Sequence, residues 1–114
     1  MDIRLGTSGW SYADWVGPFY PEATKQAQYL REYARRLITV EIDSSFYGTP
    51  RATTVERWAR ETPEHFEFSA KFPQSITHGD SLRDAAPEAL AFIERMSALG
   101  EKLGPLLLQF PYGF

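Results

Sequence analysis

Short apolar runs of strand character alternate along this chain with segments of helical period, and that alternation leaves few folds open. The first run, Ile3–Leu5, is expected as a strand ended by Gly6 in the turn-rich GTSG. Gly17, Pro18 and Pro21 keep a helix from starting before about residue 22. Tyr29, Leu30, Tyr33, Ala34 and Leu37 then recur at helical spacing, with Arg31, Glu32, Arg35 and Arg36 around the other side, which predicts an amphipathic helix. A second strand is expected over Ile38–Asp43, where β-branched residues are frequent. Thr53 and Glu56 stand at capping-box spacing ahead of a helix that carries Val55, Trp58 and Ala59 inward, and Pro63 stops it. His65–Phe72 alternates, with Phe66, Phe68, Ala70 and Phe72 on one face and Glu67, Ser69 and Lys71 on the other. Pro73 to Ala86 reads as a long polar loop. A helix follows from about Pro87, with Leu90, Ile93, Met96 and Leu99 as its apolar side and Gly100 as its stop. Pro105–Phe110 is expected as a short buried strand.

The resulting order, β-α-β-α-β-α-β, predicts parallel strands joined by crossover helices. At 114 residues the chain has the length of one domain, long enough to bury a core. An open doubly wound sheet and part of a (β/α)8 barrel both satisfy the order. The strand chemistry favours the barrel. Strands of an open sheet meet helices on both faces and are apolar throughout, whereas here Glu41, Asp43, Glu67, Ser69 and Lys71 place polar groups on one face. A barrel interior that opens to a mouth at the carboxyl ends of its strands accommodates such a face.

In either architecture ligands bind beyond those carboxyl ends. The ends are Gly6–Trp10, Glu41–Tyr47, Ser69–Lys71 with the loop to His78, and Gln109–Phe110, so four segments bring polar side chains to one rim. Glu41 is a candidate base or acceptor, and Lys71 a candidate electrophile or phosphate partner. His78 is the imidazole near the rim, and Gln109 both donates and accepts. These types suit an anionic or polyhydroxylated small molecule. Structural roles compete: Glu41 and Lys71 on adjacent strands also satisfy each other as an internal ion pair, a histidine in a polar loop is commonly a surface residue, Gln109 can bond a loop backbone, and Trp58 suits the core. Aromatic residues make up 15% of the chain, and Trp10, Tyr12, Trp15, Phe19 and Tyr20 crowd positions 10–20. They form either the anchor of an irregular loop or the wall of a pocket.

Several functions are disfavoured. Twelve basic against fifteen acidic residues, a net charge of −3, supply no electrostatic footprint for nucleic acid. The absence of cysteine removes disulfides, thiolate metal sites and cysteine nucleophiles. Two histidines, one away from the rim, do not make a His-rich metal site, although a carboxylate-only site stays open. GTSGW is not GxGxxG, and no Walker loop, HExxH or GxSxG occurs, so the motifs leave any cofactor unknown. No apolar run approaches the roughly 20 residues that span a bilayer, and MDIRLGTSGW lacks a signal-peptide core. The expectation is a soluble, cytoplasmic chain without a membrane partner.

Taken in order, GTSGW (6–10), FYP (19–21), VEIDSSFY (40–47), the Lys71 strand end, Thr77-His78 and LLQFP (107–111) resemble the YecE-like family, domain of unknown function 72. The resemblance extends over essentially the whole chain. It implies a TIM-type (β/α)8 barrel with a polar pocket at the carboxyl ends of the strands, and no established reaction. Carried over by position, the family pocket falls on Trp10, Glu41, Ser44, Phe46, Tyr47, Lys71, His78 and Gln109. Glu41, Lys71 and His78 are the expected catalytic groups, and Trp10, Ser44, Tyr47 and Gln109 the expected ligand contacts. Family members run to roughly twice this length, as a complete barrel of about 250 residues should, so the chain is expected to be the amino-terminal half of such a barrel, a fragment. An uncharacterised barrel acting on or binding a sugar-like or sugar-phosphate-like molecule is the leading reading. The alternatives are a non-catalytic ligand-binding or nucleic-acid-binding barrel and a fragment with no activity of its own. Open strand edges at Ile3–Leu5 and Leu106–Phe110 are expected to drive self-association or to leave the chain poorly stable.

Overall fold

A computed structural model describes residues 2–79 and 82–114. Its four strands are β1 (Gly6–Ser8), β2 (Thr39–Ile42), β3 (Glu67–Lys71) and β4 (Leu103–Leu107). The helices are α1 (Tyr29–Ala34), α2 (Ala52–Glu61), the single turn α3 (Gln74–Thr77) and α4 (Ala86–Met96). The strands form one sheet in the order β1-β2-β3-β4, and every neighbouring pair is parallel. This is the arrangement of half a (β/α)8 barrel, as the alternating sequence predicts.

The two faces of the sheet differ as the strand alternation requires. Val40, Ile42, Phe66, Phe68, Ala70 and Phe72 are buried, and they form one core with Leu30 and Tyr33 of α1, Val55 and Trp58 of α2, and Phe92 and Met96 of α4. Thr39, Glu41, Glu67, Ser69 and Lys71, in the opposite phase, are only half-buried. The aromatic segment 10–20 acts as an anchor. Tyr20 and Tyr33 are fully buried, Tyr20 stacks on Tyr29 with ring centroids 5.1 Å apart, and Trp15 meets Phe19 at 5.4 Å and Tyr20 at 5.7 Å.

Several local expectations are corrected. The first strand lies at Gly6–Ser8, not Ile3–Leu5. Gly6 does not end a strand. It lets β1 lie against β2, since a Cβ there would overlap the Thr39 carbonyl oxygen. The Tyr33 hydroxyl, which donates to the Thr39 carbonyl at 2.8 Å and accepts the Thr7 N–H at 2.9 Å, fixes the same two strands. The last strand lies at Leu103–Leu107, not Pro105–Phe110, and is half-buried to exposed where a buried strand was expected. Phe68 pairs with Leu103 and Ala70 with Leu106, so Gly104 and Pro105 fall in an irregularity where a residue without an N–H is tolerated.

Helix boundaries shift for equally local reasons. The residue before α2 is Arg51, in extended conformation, whose carbonyl accepts the N–H groups of Thr54 and Val55; Thr53 is thus inside the helix and makes no cap. At the other end the Lys102 ammonium donates to the carbonyls of Ala59 (2.5 Å) and Thr62 (2.7 Å), which closes α2. The expected loop 73–86 contains α3, held by buried Ile76 and Thr77, and a 3-10 turn at Leu82–Asp84; Asp80 and Ser81 lie outside the described residues. The buried side of α4 is Phe92 and Met96, followed by Leu99, whereas Leu90 (66% exposed) and Ile93 (39%) face outward. Gly100 does mark the break: its φ of +61° takes the chain out of the right-handed region within a 3-10 segment, Ser97–Lys102. Among the described residues no helix is long and apolar enough to cross a membrane.

Candidate functional site

Because Val40 and Ile42 turn toward the helices, Glu41 between them must turn to the open face, and the same parity puts Ser69 and Lys71 there. Parallel pairing sets Ser8 beside Glu41 and Glu41 beside Ser69. Lys71 Nζ lies 3.6 Å from Glu41 Oε1, and the Ser8 hydroxyl donates to the same oxygen at 3.2 Å. The pair is made but not sealed, with side chains 23% exposed for Lys71 and 31% for Glu41. A second ion pair, Arg4 with Glu67 at 3.5 Å, lies toward the amino ends of the strands. A hollow of about 360 Å³ over this face is lined by Gly6, Thr7, Ser8, Thr39, Glu41 and Ser69.

The turn after β2 is built to hold this rim. Ser44–Phe46 forms a 3-10 turn, and the buried Ser45 hydroxyl lies 3.1 Å from the Ile42 carbonyl and 2.7 Å from the Lys71 carbonyl. It therefore ties the ends of β2 and β3 together directly behind the ion pair. The Phe46 ring meets the His78 imidazole edge-on at 5.3 Å, joining the loops after β2 and β3. The Thr77 hydroxyl and His78 Nδ1 stand 2.7 Å apart.

The remaining expected contacts are dispersed. Trp10 packs against Trp58 at 5.4 Å and Phe68 at 6.3 Å, on the helix-covered side of the sheet. There it shares with Ser44, Asp43, Gln26, Arg57 and Glu61 the lining of a wider groove of about 550 Å³. Tyr47 is 79% exposed, its ring edge-on to Phe46 at 5.6 Å. Gln109 is exposed two residues beyond the end of β4. The structure thus brings Glu41 and Lys71 together, links His78 to Phe46, and puts Trp10 and Ser44 in a separate groove. Among the described residues no cluster of three or more His, Asp or Glu side chains is placed to hold a metal ion.

Three contributors escaped the sequence reading. Ser8 would have been visible had the strand been placed on Gly6–Ser8, because the register then sets it beside Glu41. Ser45 and Arg57 carry no such signal, since a turn decides the direction of the first and only the packing of α2 decides the second.

Residues 4–114 match the family described as "Protein of unknown function DUF72". The chain is 34% identical over 112 residues to the UPF0759 protein YecE of Escherichia coli strain K12, a match that covers 98% of this chain and 39% of that protein. It is equally 34% identical over 118 residues to the UPF0759 protein YunF of Bacillus subtilis strain 168, covering 98% and 41%. Two crystal structures of DUF72 family proteins are similar in fold. One, from Enterococcus faecalis V583, has a TM-score of 0.76 at 30% identity over 96% of this chain and 40% of that one. The other, from Thermotoga maritima MSB8, has a TM-score of 0.76 at 31% identity over 97% and 45%. The chain spans about two-fifths of the length of these relatives. With a family match over nearly every residue and the fold of that family's solved structures, the chain belongs to DUF72, a family of proteins of unknown function.

Proposed function

We propose that the open polar face around Glu41 and Lys71 binds a small polar or anionic molecule of the sugar or sugar-phosphate type and, in the complete protein, acts on it. The observation that carries this reading is the Glu41–Lys71 pair, made at 3.6 Å at the carboxyl ends of parallel strands, where such sheets bind their ligands. An ammonium paired with one carboxylate at 3.6 Å keeps donors with which it can take a ligand anion. In the catalytic form of the reading, Glu41 accepts a proton from the bound molecule. Lys71, with His78 at the rim, stabilises the negative charge that develops on its oxygen. Tyr47 and Gln109 would close over the ligand from the neighbouring loops.

A binding role without chemistry is favoured by a different observation. The larger of the two concavities is the groove holding Trp10, Ser44 and Arg57, lined by residues that follow β1 and β2 and by residues of α1 and α2. Calorimetric titration with inorganic phosphate and with a simple sugar phosphate separates the two. Lys71→Ala is expected to abolish binding while moving the melting temperature by less than about 5 °C, because a partly exposed ion pair contributes about 1 kcal/mol or less. Unchanged binding in Lys71→Ala would remove Lys71 from the site. Loss of binding in Arg57→Ala alone would transfer the ligand to the groove.

A further inference from the structure

We infer that the groove beside Trp10 is a separate binding site for an organic cation, an amine or quaternary ammonium carried on a small apolar body. Its lining runs from Gly9 to Glu61 and comes from the first two strand–helix units, whose strands β1 and β2 pair directly with each other. The groove is therefore a seam between neighbouring units, with Leu30 of α1 and Arg57, Trp58 and Glu61 of α2 in its walls. At about 550 Å³ it falls in the size range of small-molecule sites.

Two features of the lining select the ligand. The first is an aromatic corner. The Trp10 and Trp58 rings meet at 87°, with centroids 5.4 Å apart. Trp58 is buried, whereas Trp10 is only half-buried. Tyr12 stands at the same groove, its hydroxyl donating to the Ser8 carbonyl at 2.5 Å and its ring tilted on Trp15 at 4.6 Å, so it too is fixed in place. Indole faces attract cations more strongly than the other side-chain rings do.

The second feature is charge left unbalanced. The ionised lining residues are Asp43, Glu61 and Arg57, two carboxylates against one guanidinium. Among the described residues none of these three side chains makes a hydrogen bond or an ion pair, although both carboxylates are half-buried. Arg57 and Glu61 stand four apart on α2, a spacing at which opposite charges commonly pair, and they do not. Asp43 holds the N-cap position of the Ser44–Phe46 turn, where a carboxylate commonly accepts a backbone N–H, and makes no cap. It lies instead against Gly9, whose φ is +79° and where an added Cβ would come within 3.2 Å of Asp43 Oδ1. Partial burial of an unpaired carboxylate is unfavourable, and a cation seated against the indole corner offsets that cost. An anion would meet the excess negative charge, and a neutral polyol would leave it in place. The aromatic corner favours an organic cation over a metal ion, which needs a shell of oxygen ligands. No lining residue is shared with the hollow over Glu41, so the inference does not rest on the Glu41–Lys71 reading.

Titration with choline chloride, followed by two-dimensional NMR, tests it. The controls are equal sodium chloride and choline's uncharged carbon isostere, in which a tert-butyl group replaces the trimethylammonium. Choline is expected to shift the Trp10 indole N–H and the amides of Gly9, Asp43 and Ser44 saturably. The isostere should bind at least about tenfold more weakly, because it loses the cation–π and charge contacts together. Asp43→Asn should weaken choline binding about tenfold with an unchanged melting temperature, since its carboxylate bonds to nothing in the fold. Glu61→Gln, on a different element, gives a second reading that does not depend on the first variant folding. Equal binding of choline and its isostere, full-strength binding in both variants, shifts centred on Glu41 and Lys71, or no saturable shift would each overturn the inference.

Discussion

Burial pushes the Tyr20 phenol well above its ordinary value of 10.0, with the neighbouring Tyr33 and Tyr29 adding to the effect. Its hydroxyl donates to the Trp10 carbonyl at 2.6 Å, and no part of the residue reaches solvent. The unfolded chain releases this proton as pH passes about 10, while the folded chain keeps it, so stability falls with rising pH above that point. Urea unfolding between pH 8 and 11 should show the decline beginning near pH 10. In Tyr20→Phe it should be shallower by up to about 1.4 kcal/mol per pH unit. Equal slopes in the two proteins would mean that the ring is not held neutral by the fold. At this scale the sequence was informative where strand parity decides a side chain's direction, as for Glu41 and Lys71. It was uninformative where turns decide it. His78, Tyr47 and Gln109 lie past strand ends, and their orientations follow from the 3-10 turn at Ser44–Phe46, the α3 turn and the exit from β4.

Among the elements, β1 is the most dependent on one residue. Gly6 lies against the Thr39 backbone, which cannot move aside without breaking the β1–β2 ladder. Gly6→Ala should therefore cost about 2 kcal/mol in denaturant unfolding, in the range of overpacked interiors. Gly48→Ala, with open space around the added methyl, should change stability by less than about 0.5 kcal/mol. Similar costs at both positions would contradict the close approach at Gly6. The same strand shows why β1 was misplaced while β3 was not. β3 alternates over a full run from Phe66 to Phe72 with every apolar position buried, and nothing competes with that pattern. Ile3 and Leu5 look like strand residues but point at no covering layer, so their hydrophobicity carried no positional information. In α4 the apolar positions spread over more of the helix than the core covers. Phe92 and Met96 are buried while Leu90 and Ile93 are not, and spacing alone does not choose between those two sides.

Across the whole molecule, the sheet has one face sealed by helices and one face left polar and open. The sequence makes that division legible because strands buried on both faces would not carry Glu41, Glu67 and Lys71. Two concavities accompany it, the hollow over Glu41 and Ser69 and the groove beside Trp10 and Arg57. Which of them works is the central question for this chain and, through the family, for relatives more than twice as long. Mapping backbone amide chemical shifts while a simple sugar phosphate is added addresses it most directly, since every described segment reports in one spectrum. The account predicts that the shifts concentrate on Ser8, Glu41, Ser69 and Lys71. A response confined to Trp10, Ser44 and Arg57, or no response at saturating ligand, would contradict it.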